Sequence, residues 1–245
     1  HLLPAVHFTK TVVFNCSDGW HYARLWPLGI WNKVRIEDLP DADCGSPFIS
    51  TFDSVQGTME LSLPVTVRRG RLEDYTVRAI AAPKNFEGTA YGFDCPARER
   101  LYVRFDLPEF RLWYPNGRGP QNLYTLYVQI LEKASGRVVC GRASSFGVRS
   151  LEMAPFPSGE KETQYNRTAV INREGIFLKG ANWCTIDAMM RFDRADYDRI
   201  LSRARQQGLN FFRAWGGGLA ETDAFYDLCD EYGLCVYQEW PCCWD

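Results

Sequence analysis

The chain has 245 residues, 46% of them hydrophobic, which is enough for one large domain or two ordinary ones with packed cores. Lys and Arg number 28 against 30 Asp and Glu, a net charge of -2, and no basic stripe interleaved with aromatics suggests a nucleic-acid groove. Apolar runs such as residues 80–83 and 233–237 fall far short of the roughly 20 residues that cross a membrane as a helix.

Nine cysteines stand at positions 16, 44, 95, 140, 184, 229, 235, 242 and 243, with no CxxC pair or repeated spacing. Neither a zinc site nor a disulfide framework is expected, and buried reduced thiols are, because Cys packs as a small apolar residue. The sequons at Asn15 and Asn166 are acceptors only in a secretory eukaryote, and chance explains both. A start at His1 without Met, and a stop at Asp245 just after an apolar segment, lead us to expect an internal piece of a longer chain, with its compartment unreadable.

From residue 1 to about 150 the pattern is short β-rich runs between turn residues. The clearest are residues 58–67 (TMELSLPVTV), 75–82 (YTVRAIAA), 100–106 (RLYVRFD), 123–131 (LYTLYVQIL) and 138–148 (VVCGRASSFGV). Turn-tolerant stretches at 69–70, 85–88 and 115–120 separate them, which predicts a sandwich. Pro64 cannot donate to a ladder and predicts an edge or bulged strand.

Residues 155–164 (PFPSGEKETQ) read as a linker, after which the period changes. Residues 175–179 (GIFLK) form an apolar run. Tyr197, Ile200, Leu201 and Ala204 then follow at i, i+3, i+4 and i+7, the stripe of an amphipathic helix over about 194–207. Asp193 with Asp196 suits its N-terminus, and Gly208 its end. Residues 209–215 (LNFFRAW) predict a buried strand. Thr222 caps a helix over 223–232 that Gly233 ends, and 234–238 (LCVYQ) predict a third strand. The order β-α-β-α-β requires a parallel sheet with right-handed crossovers, in a doubly wound fold or a (β/α)8 barrel.

In either architecture, side chains at the carboxyl ends of the strands meet the ligand. Three clusters result: residues 180–187 (GANWCTID), 213–218 (RAWGGG) and 239–245 (EWPCCWD). Each combines an aromatic plane with hydrogen-bonding or charged groups, as a sugar requires, with its apolar C–H face and its hydroxyls. No Lys-Ser/Thr follows Gly216-Gly217-Gly218 and no GxGxxG occurs, so no phosphate loop and no cofactor are expected. Plainer readings stand beside these: Trp215 as a core residue next to a loop with unusual backbone angles, Arg213 paired with a carboxylate that is structural or catalytic, and Glu239 and Asp187 as loop acids.

At these residues the sequence resembles glycoside hydrolase family 2, in its β-mannosidase and exo-β-glucosaminidase branch. GIFLKGANWCTIDAM is similar to that branch's first barrel strand and sugar-facing turn. LNFFRAWGGGLAETDAFYDLCDEYGLCVYQEW is similar to its second strand, helix and third strand. Upstream, DLPEFRLWYPNGRGPQNLYTLYVQI and FGVRSLEM resemble the immunoglobulin-like sandwich that precedes the barrel, and residues 17–36 the last strands of a jelly-roll sugar-binding domain.

The resemblance implies a multidomain β plus α/β fold. Residues 1–42 would end a jelly-roll sugar-binding domain, 43–153 form an immunoglobulin-like β-sandwich, 154–168 link, and 169–245 open an incomplete (β/α)8 TIM barrel with its first three strands. It implies a fragment of a retaining exo-β-glycosidase acting at non-reducing ends of β-linked sugars (β-mannosidase-like, β-glucosaminidase or β-galactosidase). The alternative is a non-catalytic carbohydrate-binding protein of the same ancestry. The substrate-binding residues would be Asn182, Trp183, Asp187, Arg213, Trp215, Glu239, Trp240, Trp20 and His21, with a carbohydrate as the partner and neither nucleic acid nor membrane. Trp20-His21-Tyr22 puts an imidazole where mannosidase-like members carry the carboxylate of Trp-Asp-Trp, and Gln238-Glu239-Trp240 stands where the branch often has Gln-Asp-Phe. The acid/base and nucleophile glutamates follow the fourth and seventh barrel strands, so none of the residues 1–245 is expected to be catalytic and the piece is expected to be inactive alone. In that retaining mechanism the two carboxyls stand about 5–5.5 Å apart and one forms a covalent glycosyl-enzyme intermediate. Arg213 would lie near the nucleophile.

Overall fold

The computed structural model describes residues 30, 32–155, 167–187, 190–191 and 193–240, which fall into two compact units. The larger holds residues 36–114 and 119–177. The smaller holds residues 115–118 and those from Leu178 onward. The expected jelly-roll strands lie almost entirely outside the described residues.

The larger unit begins with β1 (Ala42–Cys44), β2 (Phe48–Asp53), β3 (Thr58–Val67), β4 (Tyr75–Pro83), β5 (Tyr91–Pro96), β6 (Arg100–Asp106), β7 (Tyr124–Glu132) and β8 (Val138–Phe146). They form two antiparallel four-stranded sheets, one centred on β3 with β1, β2 and β6 as its neighbours, the other in the order β5-β4-β7-β8. Successive side chains of a strand point to opposite faces, so Met59, Leu61, Leu63 and Val65 of β3 turn inward together. Val77, Ala79 and Ala81 of β4 and Leu126, Val128 and Ile130 of β7 join them in one buried cluster. Each fully buried Leu or Ile contributes on the order of 1.5–3 kcal/mol.

Pro64 is not on an edge strand. On one side of β3, pairing with β2 stops at Ser62 and pairing with β1 starts at Val65. The N–H and C=O of a strand residue point the same way, and the Pro64 carbonyl accepts from Gly45 N at 3.0 Å. The donor that proline lacks would therefore face the gap where one partner replaces the other, and its loss costs no ladder bond.

A three-stranded sheet follows, from β9 (Leu151–Pro155), β10 (Arg167–Ile171) and β11 (Glu174–Ile176), in the order β11-β10-β9. Ile171 pairs with Glu174, so Asn172-Arg173 is a two-residue turn with φ of 52° and 69°, the mirror-type geometry that matches strand twist. The Asn172 side chain holds it in place, accepting from Ser150 N at 3.1 Å and donating to Trp113 O at 2.9 Å. This corrects the expected boundary. β10 and β11 pair with β9 rather than opening the α/β domain at residue 169, and the smaller unit resumes only at Leu178.

The smaller unit contains β12 (Gly180–Trp183), α1 (Arg194–Gln206), β13 (Phe211–Ala214), α2 (Asp223–Tyr232) and β14 (Cys235–Gln238). The three strands are parallel, in the order β12-β13-β14, with Asn182, Arg213 and Tyr237 in register. The first parallel strand is thus Gly180–Trp183, one step later than the GIFLK run, whose first two residues, Gly175 and Ile176, lie in β11.

Helix α1 starts where expected: Asp193 accepts from Ala195 N and Asp196 N, and Asp196 accepts from Asp193 N. Gly208 at φ 80° and Gly233 at φ 73° follow the two helices in left-handed conformations. Tyr197, Leu201, Phe225, Leu228 and Cys229 bury against Trp183, Phe212 and Leu234. Asn116 also belongs to this unit. Its amide donates to the carbonyls of Arg205 and Leu209, each at 2.8 Å, and its N–H to Gly233 O, satisfying carbonyls at the ends of both helices.

Candidate functional site

One face of the parallel sheet carries Trp183 and Phe212 into the cluster beneath the helices, and Ala214, buried, lies on the same face. The alternate positions, Asn182, Arg213 and Tyr237, lie on the other face, where Asn182 is exposed, Arg213 half-buried and Tyr237 59% exposed.

Arg213 is the centre of a hydrogen-bonded chain at the carboxyl ends of the strands. Its Nε and Nη2 reach Glu239 Oε1 at 2.8 and 2.7 Å, and its Nη1 donates to Asn182 Oδ1 at 3.0 Å. Glu239 Oε2 accepts from Gly216 N at 2.8 Å. That backbone N–H and the Arg213 guanidinium together outweigh partial burial and hold the Glu239 carboxyl below its ordinary range. Glu239 is held in reach of these groups because its own N–H continues the β13–β14 pairing to Ala214 O at 3.1 Å.

Glycine at 216 and 217 is required by space. A Cβ on Gly216 would stand 2.7 Å from Trp240 O, and one on Gly217 would stand 2.0 Å from the Trp215 ring. Neither residue has positive φ, so close approach rather than unusual backbone angles explains this part of the run.

The remaining residues singled out by sequence divide. Trp183 and Trp215 are each 5% exposed. Trp183 packs among Tyr197, Phe212 and Phe225 and is a core side chain, not the outward sugar platform expected of it. Trp240 is 83% exposed beside Glu239. Asp187 accepts from Arg191 Nε at 3.4 Å, within the same connecting segment. Trp20 and His21 lie outside the described residues.

Sequence reasoning passed over Glu221. It is 8% exposed, accepting from Trp183 Nε1 at 3.0 Å through Oε1 and from the Tyr197 hydroxyl through Oε2. Burial raises its pKa despite these donors, and burial with the Glu221 contact pushes the Tyr197 phenol up as well. Nothing in the local pattern marks Glu221, two residues before the start of α2, as buried. Thr185 Oγ1, nearby in sequence to Trp183, is buried without a hydrogen-bond partner among the described residues.

No protein-family model matches the chain. β-Mannosidase B of Emericella nidulans is 33% identical over 228 residues, 90% of this chain and 26% of that protein. The β-mannosidase of Capra hircus is 29% identical over 234 residues, 91% of this chain and 26% of the goat protein. Among solved structures, the β-D-mannosidase of Dictyoglomus thermophilum superposes with a TM-score of 0.65 at 29% identity, covering 81% of this chain and 24% of that one. The chain therefore spans about a quarter of the length of these relatives.

Along both units, sandwich and parallel sheet alike, the chain is similar to β-mannosidases, homologues in glycoside hydrolase family 2.

Proposed function

We propose that these residues are part of a retaining, exo-acting β-glycosidase that removes non-reducing terminal sugars, with β-mannosides as the first candidates. In this reading the large unit is the immunoglobulin-like sandwich, β12 to β14 are the first three strands of a TIM barrel, and residues before about 42 end a jelly-roll domain. The relatives named as β-mannosidases support the substrate class.

The observation that carries the reading is the Asn182–Arg213–Glu239–Gly216 chain on the uncovered face of the sheet, built from three successive strand ends. Asn182 Oδ1 is engaged by Arg213, which leaves its amide N–H groups to donate to a sugar hydroxyl. Trp240, exposed and next to Glu239 in the chain, would offer a ring to the sugar's C–H face. Trp183 and Trp215 support this wall from behind.

Glu239 is unsuited to the chemistry itself. A general acid needs a raised pKa, whereas three N–H groups hold this carboxyl ionised. Its work is to fix Arg213. The reacting carboxylates would come from later strands of the barrel, and Arg213 would stand beside the nucleophile.

A panel of aryl β-glycosides offered to the full-length protein tests the proposal. Release of the aryl alcohol from the β-mannoside, with retention of anomeric configuration, is expected. Binding of β-linked sugars without turnover of any member of the panel would overturn it in favour of a non-catalytic carbohydrate-binding role.

A further inference from the structure

Cys44 closes β1 and Cys140 lies in β8, strands of opposite sheets in the sandwich. Their Sγ atoms are 3.7 Å apart although 96 residues separate them in the chain. A disulfide joins sulfurs about 2.05 Å apart, and two thiols already in contact need only small side-chain rotations to reach that distance. We propose that Cys44 and Cys140 are a site of disulfide formation that covalently ties the two sheets of the sandwich together.

The surroundings favour this over a metal site, the other chemistry that two thiols and a carboxylate could serve. Cys140 Sγ donates to Asp43 Oδ1 at 3.1 Å, but Arg142 Nη2 already occupies that oxygen at 3.2 Å, and Arg68 stands 3.9 Å from Oδ2. Arg142 Nε also reaches Cys44 O at 3.2 Å. A divalent cation would have to settle beside two guanidinium groups, whereas a neutral disulfide needs no counter-charge.

The two sulfurs are not equivalent. Cys44 is 1% exposed, and burial together with the neighbouring Cys140 thiol pushes its pKa up to about 12. Cys140 is only partly buried and meets the oxidant first. With glutathione disulfide as that oxidant, the Cys140 thiolate attacks one of its sulfurs, the glutathione S–S bond breaks and one glutathione leaves. The Cys44 thiol then gives up its proton and attacks Cys140 Sγ, and the second glutathione leaves. Two protein thiols are oxidised and one glutathione disulfide becomes two glutathione thiols, which take up the two protons released. A bond closing so long a loop constrains the unfolded chain strongly, so oxidation should raise the denaturant midpoint.

The test is peptide mapping of the protein after incubation in excess glutathione disulfide and quenching by alkylation. A cross-linked pair of peptides containing Cys44 and Cys140 is expected. Cys44→Ala should instead accumulate glutathione on Cys140, and the rise in midpoint on oxidation should vanish in Cys140→Ala. Three outcomes would overturn the proposal: a lasting glutathione adduct on wild-type Cys140, both thiols still open to alkylation, or zinc chloride alone shielding both from alkylation, which would mark a metal site.

Discussion

The two units use their sheets in opposite ways. In the sandwich, β3, β4 and β7 each bury alternate residues between two sheets, and the charged pairs on the outer faces, such as Arg78–Asp94 and Arg104–Glu60, lie in solvent. Among the described residues of the parallel sheet the helices cover one face, and the other presents Asn182, Arg213 and Tyr237. A sheet closed on its apolar face spends its side chains on packing. One left open on its second face keeps register positions available for chemistry, and there three short strands contribute one polar group each or nearly so.

That contrast can be broken by substitution. Phe212→Ala, on the covered face and 4% exposed, should remove roughly 3–5 kcal/mol from the smaller unit in denaturant titrations followed by circular dichroism. Leu126→Ala in the sandwich core, 0% exposed, should cost about 2–5 kcal/mol and shift the transition of the larger unit. Should each variant move both transitions equally, the units would not be separate compact bodies.

Glu221→Gln comes next. An amide cannot accept from both Trp183 Nε1 and Tyr197 Oη through two oxygens, and one unmatched buried group costs about 1–3 kcal/mol. The sign with pH follows from the raised carboxyl. The unfolded chain loses this proton first, so wild-type stability is fully present below the ordinary carboxylate range and declines as pH rises through the raised value. A pH titration of stability that is identical in wild type and the Gln variant on the alkaline side would refute the assignment.

Glu239 should behave in the opposite sense. Its depressed pKa means that the contribution is present above the ordinary carboxylate range and lost as pH falls through the folded value. With Arg213 37% exposed, Glu239→Gln should cost no more than about 1 kcal/mol at neutral pH and remove part of the acid sensitivity. Tyr237→Ser should be the mildest, within about 0.5 kcal/mol, because the ring is 59% exposed on the uncovered face. A large loss at Tyr237 would show that this face is packed after all.

Much of this was legible before any coordinates. Periodicity located β3, β6 and both helices nearly to the residue, and Asp193 with Asp196 announced the start of α1 because a capping box spans only four consecutive residues. Arg213, Asn182 and Glu239 were singled out because strand ends are where ligands meet parallel sheets. The hairpin at Asn172-Arg173 escaped notice since Arg is not a residue that signals a left-handed turn, and the crowding at Gly216 escaped it because Trp240 O is brought there only by the fold.

By itself the sequence determined the local order: which segments alternate, where helices start and stop, and which polar groups terminate strands. Those depend on neighbours a few residues apart. Only the tertiary structure decided that Pro64 sits at a change of partners, that Trp183 turns inward onto a buried Glu221, that Cys44 meets Cys140, and that Asn182, Arg213 and Glu239 share hydrogen bonds. Each of these is a pairing across tens of residues, set by which faces the whole chain can bury together rather than by any short window of it.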